Sequence, residues 1–90
     1  MAVTRTLEIV NEKGLHARAS AKFSEVVERF DASATAERDG MEASGDSIMG
    51  LLMLGASRGT SIDVTCDGPD EAELMAALAA LVADRFGEPV

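Results

Sequence analysis

Two stretches far apart in the chain alternate apolar and polar residues with a period of two, and this constrains the fold more than any other feature. From Val3 to Val10 the alternation runs around Val3, Leu7 and Ile9, with Thr4, Thr6 and Glu8 between them. From Ser61 to Cys66 it is cleaner: Ile62, Val64 and Cys66 face one way, and Ser61, Asp63 and Thr65 the other. Such a period marks a strand with one covered face and one wet face, so the chain must supply both partner strands and a cover.

The cover is predicted from two helical stripes. Between Ala17 and Phe30, the residues Phe23, Val26, Val27 and Phe30 recur at helical spacing, leaving Lys22, Glu25 and Glu28 on a wet face. A last helix begins at Pro69 or Asp70 and carries Leu74, Ala77, Leu78, Leu81, Val82 and Ala83 as a stripe, with Gly87 and Pro89 expected to stop it. The partner strands are Ala32–Arg38 and Met41–Ala43, flanking Asp39-Gly40, a dipeptide suited to a type I′ hairpin turn. Their alanines are weak strand formers. A short helix starts at Ser47, with Ser47 or Asp46 as its N-cap. The order is therefore βαββαβα. The expected class is α+β: an open-faced β-sandwich, a four-stranded antiparallel sheet covered on one face by helices.

Ninety residues make a single domain, 1–90, with no linker or internal repeat. Sixteen acidic residues against eight basic ones give a net charge of −8 and leave no basic run to neutralise a nucleic-acid backbone. One cysteine, Cys66, allows no internal disulfide, and with one histidine it makes no metal-ligand cluster. No apolar run approaches the ~20 residues that span a bilayer. A cytoplasmic monomer without metal, cofactor, nucleic-acid or membrane partner is expected. Aromatic stacking surfaces are scarce, with no Trp or Tyr and three Phe, which points to a protein partner rather than a small ligand in a pocket.

The only histidine, His16, lies in Gly14-Leu15-His16-Ala17-Arg18-Ala19-Ser20, where a strand gives way to the first turn of a helix. Histidine is a poor N-cap by preference, so its presence there needs a reason. The first backbone N–H groups of a helix lack internal partners and sit at the positive end of its dipole, which suits an anion. An imidazole nitrogen at that point can act as a nucleophile, and a phosphoryl group on it would meet the N–H groups of Ala17 and Arg18 and the Arg18 guanidinium. A lone histidine is also often only a surface or hydrogen-bonded residue.

Gly14-Leu15-His16-Ala17-Arg18 closely resembles the active-site motif of the histidine-containing phosphocarriers, the HPr family of the phosphotransferase system. Gly45-Asp46-Ser47-Ile48-Met49-Gly50-Leu51-Leu52-Met53-Leu54 resembles the regulatory-serine helix of the same family, and the resemblance covers the whole chain. It implies that His16 takes a phosphoryl group from an enzyme I-like donor, ultimately from phosphoenolpyruvate, and passes it to a IIA-like acceptor. Arg18 would stabilise the charge, and an HPr serine kinase could modify Ser47. The chain would then be a transfer intermediate rather than a stand-alone enzyme. Ala19 departs from the proline usual after the arginine; the Ala-Ser variant resembles the nitrogen-related branch. Alanine there leaves one more backbone donor.

The short helix carries more apolar residues than one face can bury. Leu51 and Leu54 are expected to face the core, leaving Ile48, Met49 and Leu52 as an outward docking patch beside His16. Two readings compete with a phosphocarrier. Gly45-Asp46-Ser47-Ile48 also resembles the phosphopantetheine attachment site of acyl carrier proteins, which are four-helix bundles. A small regulatory domain without covalent chemistry is the other.

Overall fold

A computed structural model describes residues 1–90. The chain runs β1 (Val3–Glu8), α1 (Ala17–Val27), β2 (Ser33–Arg38), β3 (Met41–Ser44), α2 (Ile48–Met53), β4 (Ser61–Asp67) and α3 (Glu71–Ala83), followed by a 3-10 turn over Arg85–Gly87. The strands form one sheet in the order β1-β4-β2-β3, and every neighbouring pair is antiparallel. β1 and β2 therefore run parallel with β4 between them, and β3 and β4 run parallel with β2 between them. The fold consists of two interleaved split β-α-β units. It excludes the four-helix bundle, and with it the acyl-carrier reading.

Alternation decides which face is covered. Leu7 and Ile9, Ile62, Val64 and Cys66, Ala34 and Ala36, and Ala43 are all buried on the helix-facing side. Against them pack Phe23, Val26 and Val27 of α1, Leu74, Met75, Leu78 and Val82 of α3, and Leu51 and Leu54 from the α2 region. The alanines that weaken β2 and β3 as strands have small side chains, and over Ala43 this lets α2 approach closely: a Cβ on Gly50 would lie 3.2 Å from that of Ala43. Each large side chain buried here contributes roughly 1.5–3 kcal/mol against the chain entropy. The free Cys66 thiol lies within this core, where burial, and secondarily the charge of Glu71, push its pKa up. It is correspondingly unreactive.

The opposite face is open. Thr4 bonds Thr65 across the β1–β4 pair at 3.0 Å, and Thr6 donates to the Asp63 carboxylate at 2.6 Å. Glu37 stands directly opposite both Glu42 and Asp63. Like charges in register are tolerated because water covers them.

Several expected boundaries shift. β1 ends at Glu8 rather than Val10. α1 stops at Val27 because its last bonds tighten: Arg29 N–H goes to Val26 and Phe30 N–H to Val27, three residues back instead of four. Lys22 is not simply a wet residue, since its ammonium donates to the Phe86 carbonyl at 2.7 Å. α3 ends before Gly87 and Pro89 act on it. Arg85 and Phe86 both take left-handed angles, φ 56 and 54, which turn the fully buried Phe86 ring into the core. Ala83 is exposed, and Met75 takes the place on the buried stripe that was assigned to it. Ser47 does cap α2, its Oγ accepting from Gly50 N–H at 3.0 Å, while the Asp70 carboxylate at the start of α3 accepts the N–H of Asp31 instead.

Asp39 and Gly40 have φ of 52 and 80, the two left-handed positions a type I′ turn requires. Gly14 also has a positive φ, 67, but a Cβ there would lie 2.5 Å from the Ala56 carbonyl oxygen and 2.9 Å from Ser57 Cα, whereas at Gly40 nothing stands within 4 Å. Gly40→Ala is expected to cost about 1 kcal/mol, the strain of its angle alone, and Gly14→Ala about 3 kcal/mol or more. Urea titrations of the two variants check this; equal losses would mean that the Gly14–Ala56 approach is easily relaxed.

Candidate functional site

The turn that carries His16 is stitched to the loop after α2. Ile9 N–H donates to Thr60 O at 2.8 Å, Gly59 N–H to Ile9 O at 2.9 Å, and Leu15 N–H to Ala56 O at 2.9 Å. Leu15 is buried as an anchor. The next residue, His16, is the N-cap of α1 with extended angles, φ −79 and ψ −174, and its carbonyl accepts the first helical bond, from Ser20 N–H at 2.8 Å. Its imidazole makes no capping bond. The N–H groups of Ala17, Arg18 and Ala19 take no backbone carbonyl, so three donors remain at the positive end of an eleven-residue helix.

The ring points instead toward the C-terminal segment. His16 Nε2 meets Glu88 Oε2, and the other oxygen of that carboxylate, Oε1, accepts from Asn11 Nδ2 at 3.0 Å. Asn11 is fully buried, and its Nδ2 also donates to the Gly14 carbonyl at 2.8 Å. Burial alone would raise the Glu88 carboxyl, but hydrogen bonds from Asn11 and His16 and the charges of His16 and Lys13 outweigh it and hold its pKa below the usual value. Lys13, His16, Arg18, Glu88, Pro89 and Val90 line a cleft of about 150 Å³. That is well under the roughly 300–1,000 Å³ of small-molecule sites, and suits a small anionic group better than a sugar or nucleotide.

Arg18 is exposed, lines this cleft, and makes no ion pair or hydrogen bond within the chain. With Lys13 it places two cations beside the Glu88 carboxylate in a protein of net charge −8. The residues expected on the first turn of α1 are thus together. The α2 patch is more distant in kind: α1 and α2 pack on each other, yet none of Ile48, Met49 and Leu52 lines the cleft. Ile48 and Met49 are exposed and Leu52 is half-buried; Met53, left unassigned by the sequence, is as exposed as Met49. The apolar surface is therefore Ile48, Met49 and Met53 with the edge of Leu52. Ser47 is half-buried at its margin.

Asn11 and Glu88 escaped the sequence reading. Asn11 reads as a strand terminator, and Glu88 as a residue of the tail beyond the last helix. The available signal was Phe86, an aromatic residue placed after the helical stripe and before Gly87, which only burial explains.

Comparison with known proteins identifies the family. A family model described as the phosphorylation site of the HPr component of the phosphotransferase system matches residues 3–84. The chain is 46% identical to the phosphocarrier protein HPr of Cupriavidus necator, over 93% of this chain and 94% of that one. It is 42% identical to the phosphocarrier protein NPr of Escherichia coli, over 98% and 99%. A crystal structure of HPr-C-His from Thermoanaerobacter tengcongensis superposes with a TM-score of 0.92 at 36% identity, covering 98% of this chain and 99% of that chain. With its four-stranded open sheet, three helices and βαββαβα order, the chain belongs to the HPr family of phosphocarriers of the phosphotransferase system, whose general function is phosphohistidine transfer.

Proposed function

We propose that residues 1–90 act as one phosphocarrier domain in which His16 accepts a phosphoryl group from an enzyme I-like donor and releases it to a IIA-like acceptor. The observation that carries this is the combination at the start of α1: an imidazole that does not cap its helix, three unused N–H donors, and an unpaired guanidinium at the mouth of the same cleft. Arg18 and the N–H groups of Ala17 and Arg18 hold the phosphoryl oxygens. Both transfers are then matters of positioning and charge, with no further catalytic group needed. This also disfavours a regulatory domain without covalent chemistry, which has no use for an uncapped helix start facing free cations.

Incubation with enzyme I and phosphoenolpyruvate is expected to give an acid-labile, base-stable adduct that His16→Ala abolishes. Persistence of the adduct in that variant would place the chemistry elsewhere. Arg18→Lys is expected to slow transfer roughly tenfold with the fold intact, because an ammonium cannot reproduce the bidentate fork of a guanidinium. Stopped transfer reactions with IIA domains from sugar and nitrogen branches read this rate and identify the acceptor together.

The partner surface is centred on Ile48, Met49 and Leu52, extended by Met53. Ser47 at its edge is a regulatory site for a serine kinase: a phosphoryl group there adds about −1.5 to −2 charges against partners without altering the sheet. The carrier works as a monomer, since the open sheet face bears Glu8, Glu37, Glu42 and Asp63 with no Lys or Arg among them, and two such faces repel. No helix is long and apolar enough to cross a membrane, and a cytoplasmic site of action accords with one free thiol held in the core. In titrations against the donor, Met49→Ala and Ser47→Asp are each expected to weaken binding about fivefold. Added salt should diminish the loss for Ser47→Asp and leave that for Met49→Ala. Unchanged affinity in both variants would move the docking face elsewhere.

A further inference from the structure

The α2 segment sorts its long apolar residues by type. The two that face the core, Leu51 and Leu54, are leucines, and the two most exposed, Met49 and Met53, are methionines one turn apart on the same side of the helix. Each keeps 68% of its surface in water, more than any other large apolar residue except Met1. Leucine would present much the same apolar area there. What the outward side has in addition is sulfur.

That sulfur is the accessible oxidisable chemistry of this surface. The chain has no Trp or Tyr, and its single thiol, Cys66, is fully buried. Of the five methionines, Met75 is buried on α3, Met1 lies at the start of the chain with its ammonium on Glu71 at 3.4 Å, and Met41 stands opposite Arg38 at the β2–β3 turn. Only Met49 and Met53 lie together, and they lie on the apolar face beside Ile48. We infer that Met49 and Met53 form a reversible oxidation site, at which a hydroperoxide converts both thioethers to sulfoxides and so removes the apolar centre of the docking face.

The inference rests on this face being where the phosphoryl donor binds. In the step, a sulfur lone pair bonds to one oxygen of the hydroperoxide, and the O–O bond breaks with its electron pair on the departing oxygen. The departing hydroxide takes the proton of the transferred OH, so hydrogen peroxide leaves as water. Sulfur is oxidised by two electrons and the peroxide is reduced by two, with no protein base required. Return takes two electrons from a dithiol through a methionine sulfoxide reductase: the oxygen leaves as water and the dithiol becomes a disulfide. In the free protein both sulfoxides are solvated, so the fold is kept. In a complex each S=O oxygen must lose its water against an apolar counterpart, which is unfavourable without a new donor. Sulfoxides carry no net charge, so this loss persists in salt, unlike the one caused by a phosphoryl group on Ser47.

Brief treatment of the intact chain with dilute hydrogen peroxide, ended with catalase, tests the site directly. Peptide mass spectrometry is expected to find Met49 and Met53 oxidised while Met75 stays reduced, with an unchanged circular dichroism spectrum. Assayed with untreated enzyme I and phosphoenolpyruvate, the oxidised carrier is expected to show a KM raised roughly tenfold with little change in kcat, and a methionine sulfoxide reductase should restore the starting KM. In the double variant Met49→Leu, Met53→Leu, the ratio of KM after peroxide to KM before it should stay at about one, whatever the variant's own starting value. A ratio as large as that of the wild type would assign the effect to Met1 or Met41 and overturn the proposal. So would a wild-type KM that ignores both sulfoxides, or oxidation of Met75 as fast as that of Met49. If the untreated chain takes no phosphoryl group, the phosphocarrier reading fails and the switch with it; if it does and KM ignores the sulfoxides, the switch alone fails.

Discussion

The hydrogen bond from Leu15 N–H to the Ala56 carbonyl, made possible by the missing side chain of Gly14, is the contact on which the arrangement of the site depends. It joins the loop leaving β1 to the loop leaving α2. Neither loop has secondary structure of its own, and each satisfies backbone groups of the other. With Leu15 anchored in the core, His16 is fixed as the N-cap of α1, and its ring lies in the cleft it shares with Lys13, Arg18 and Glu88. Moving this junction by one residue would rotate His16 about 100° around the helix, since 3.6 residues make a turn.

The strands were legible because Ile62, Val64 and Cys66 repeat at a period no helix shares, and the hairpin because Asp39-Gly40 is suited to two left-handed residues in succession. His16 was legible as a helix start because Gly14 precedes it and good helix formers follow. Glu88 was not, since it meets His16 across 72 residues of sequence. Its position follows from the burial of Phe86, which in turn forces Arg85 and Phe86 into angles that neither residue prefers. Local propensity holds no trace of such a tail, and the stopping signals Gly87 and Pro89 pointed to a helix end four residues later than the one observed. The α2 patch was legible as an excess of apolar residues, but which methionine faces water depends on how a six-residue helix sits on α1 and β3.

Charge divides the molecule into regions with different tasks. The open sheet face is acidic in register across three strands, with Asp63, Glu37 and Glu42 side by side. The end that carries His16 has Lys13 and Arg18 beside the Glu88 carboxylate and is apolar at the neighbouring helix.

The split β-α-β arrangement also shapes how the chain reaches this structure. β2 and β3 pair across a two-residue turn and can zip locally, but β1 has no neighbour until β4 arrives, and Thr4 meets Thr65 across 61 residues. Closing so long a loop spends chain entropy before the ladder returns any of it, so the β1–β4 pairing is slower to form than the local hairpin. The interval in which β1 and the central edge of β2 are both unpaired is the one in which strand pairing between chains competes with pairing within one.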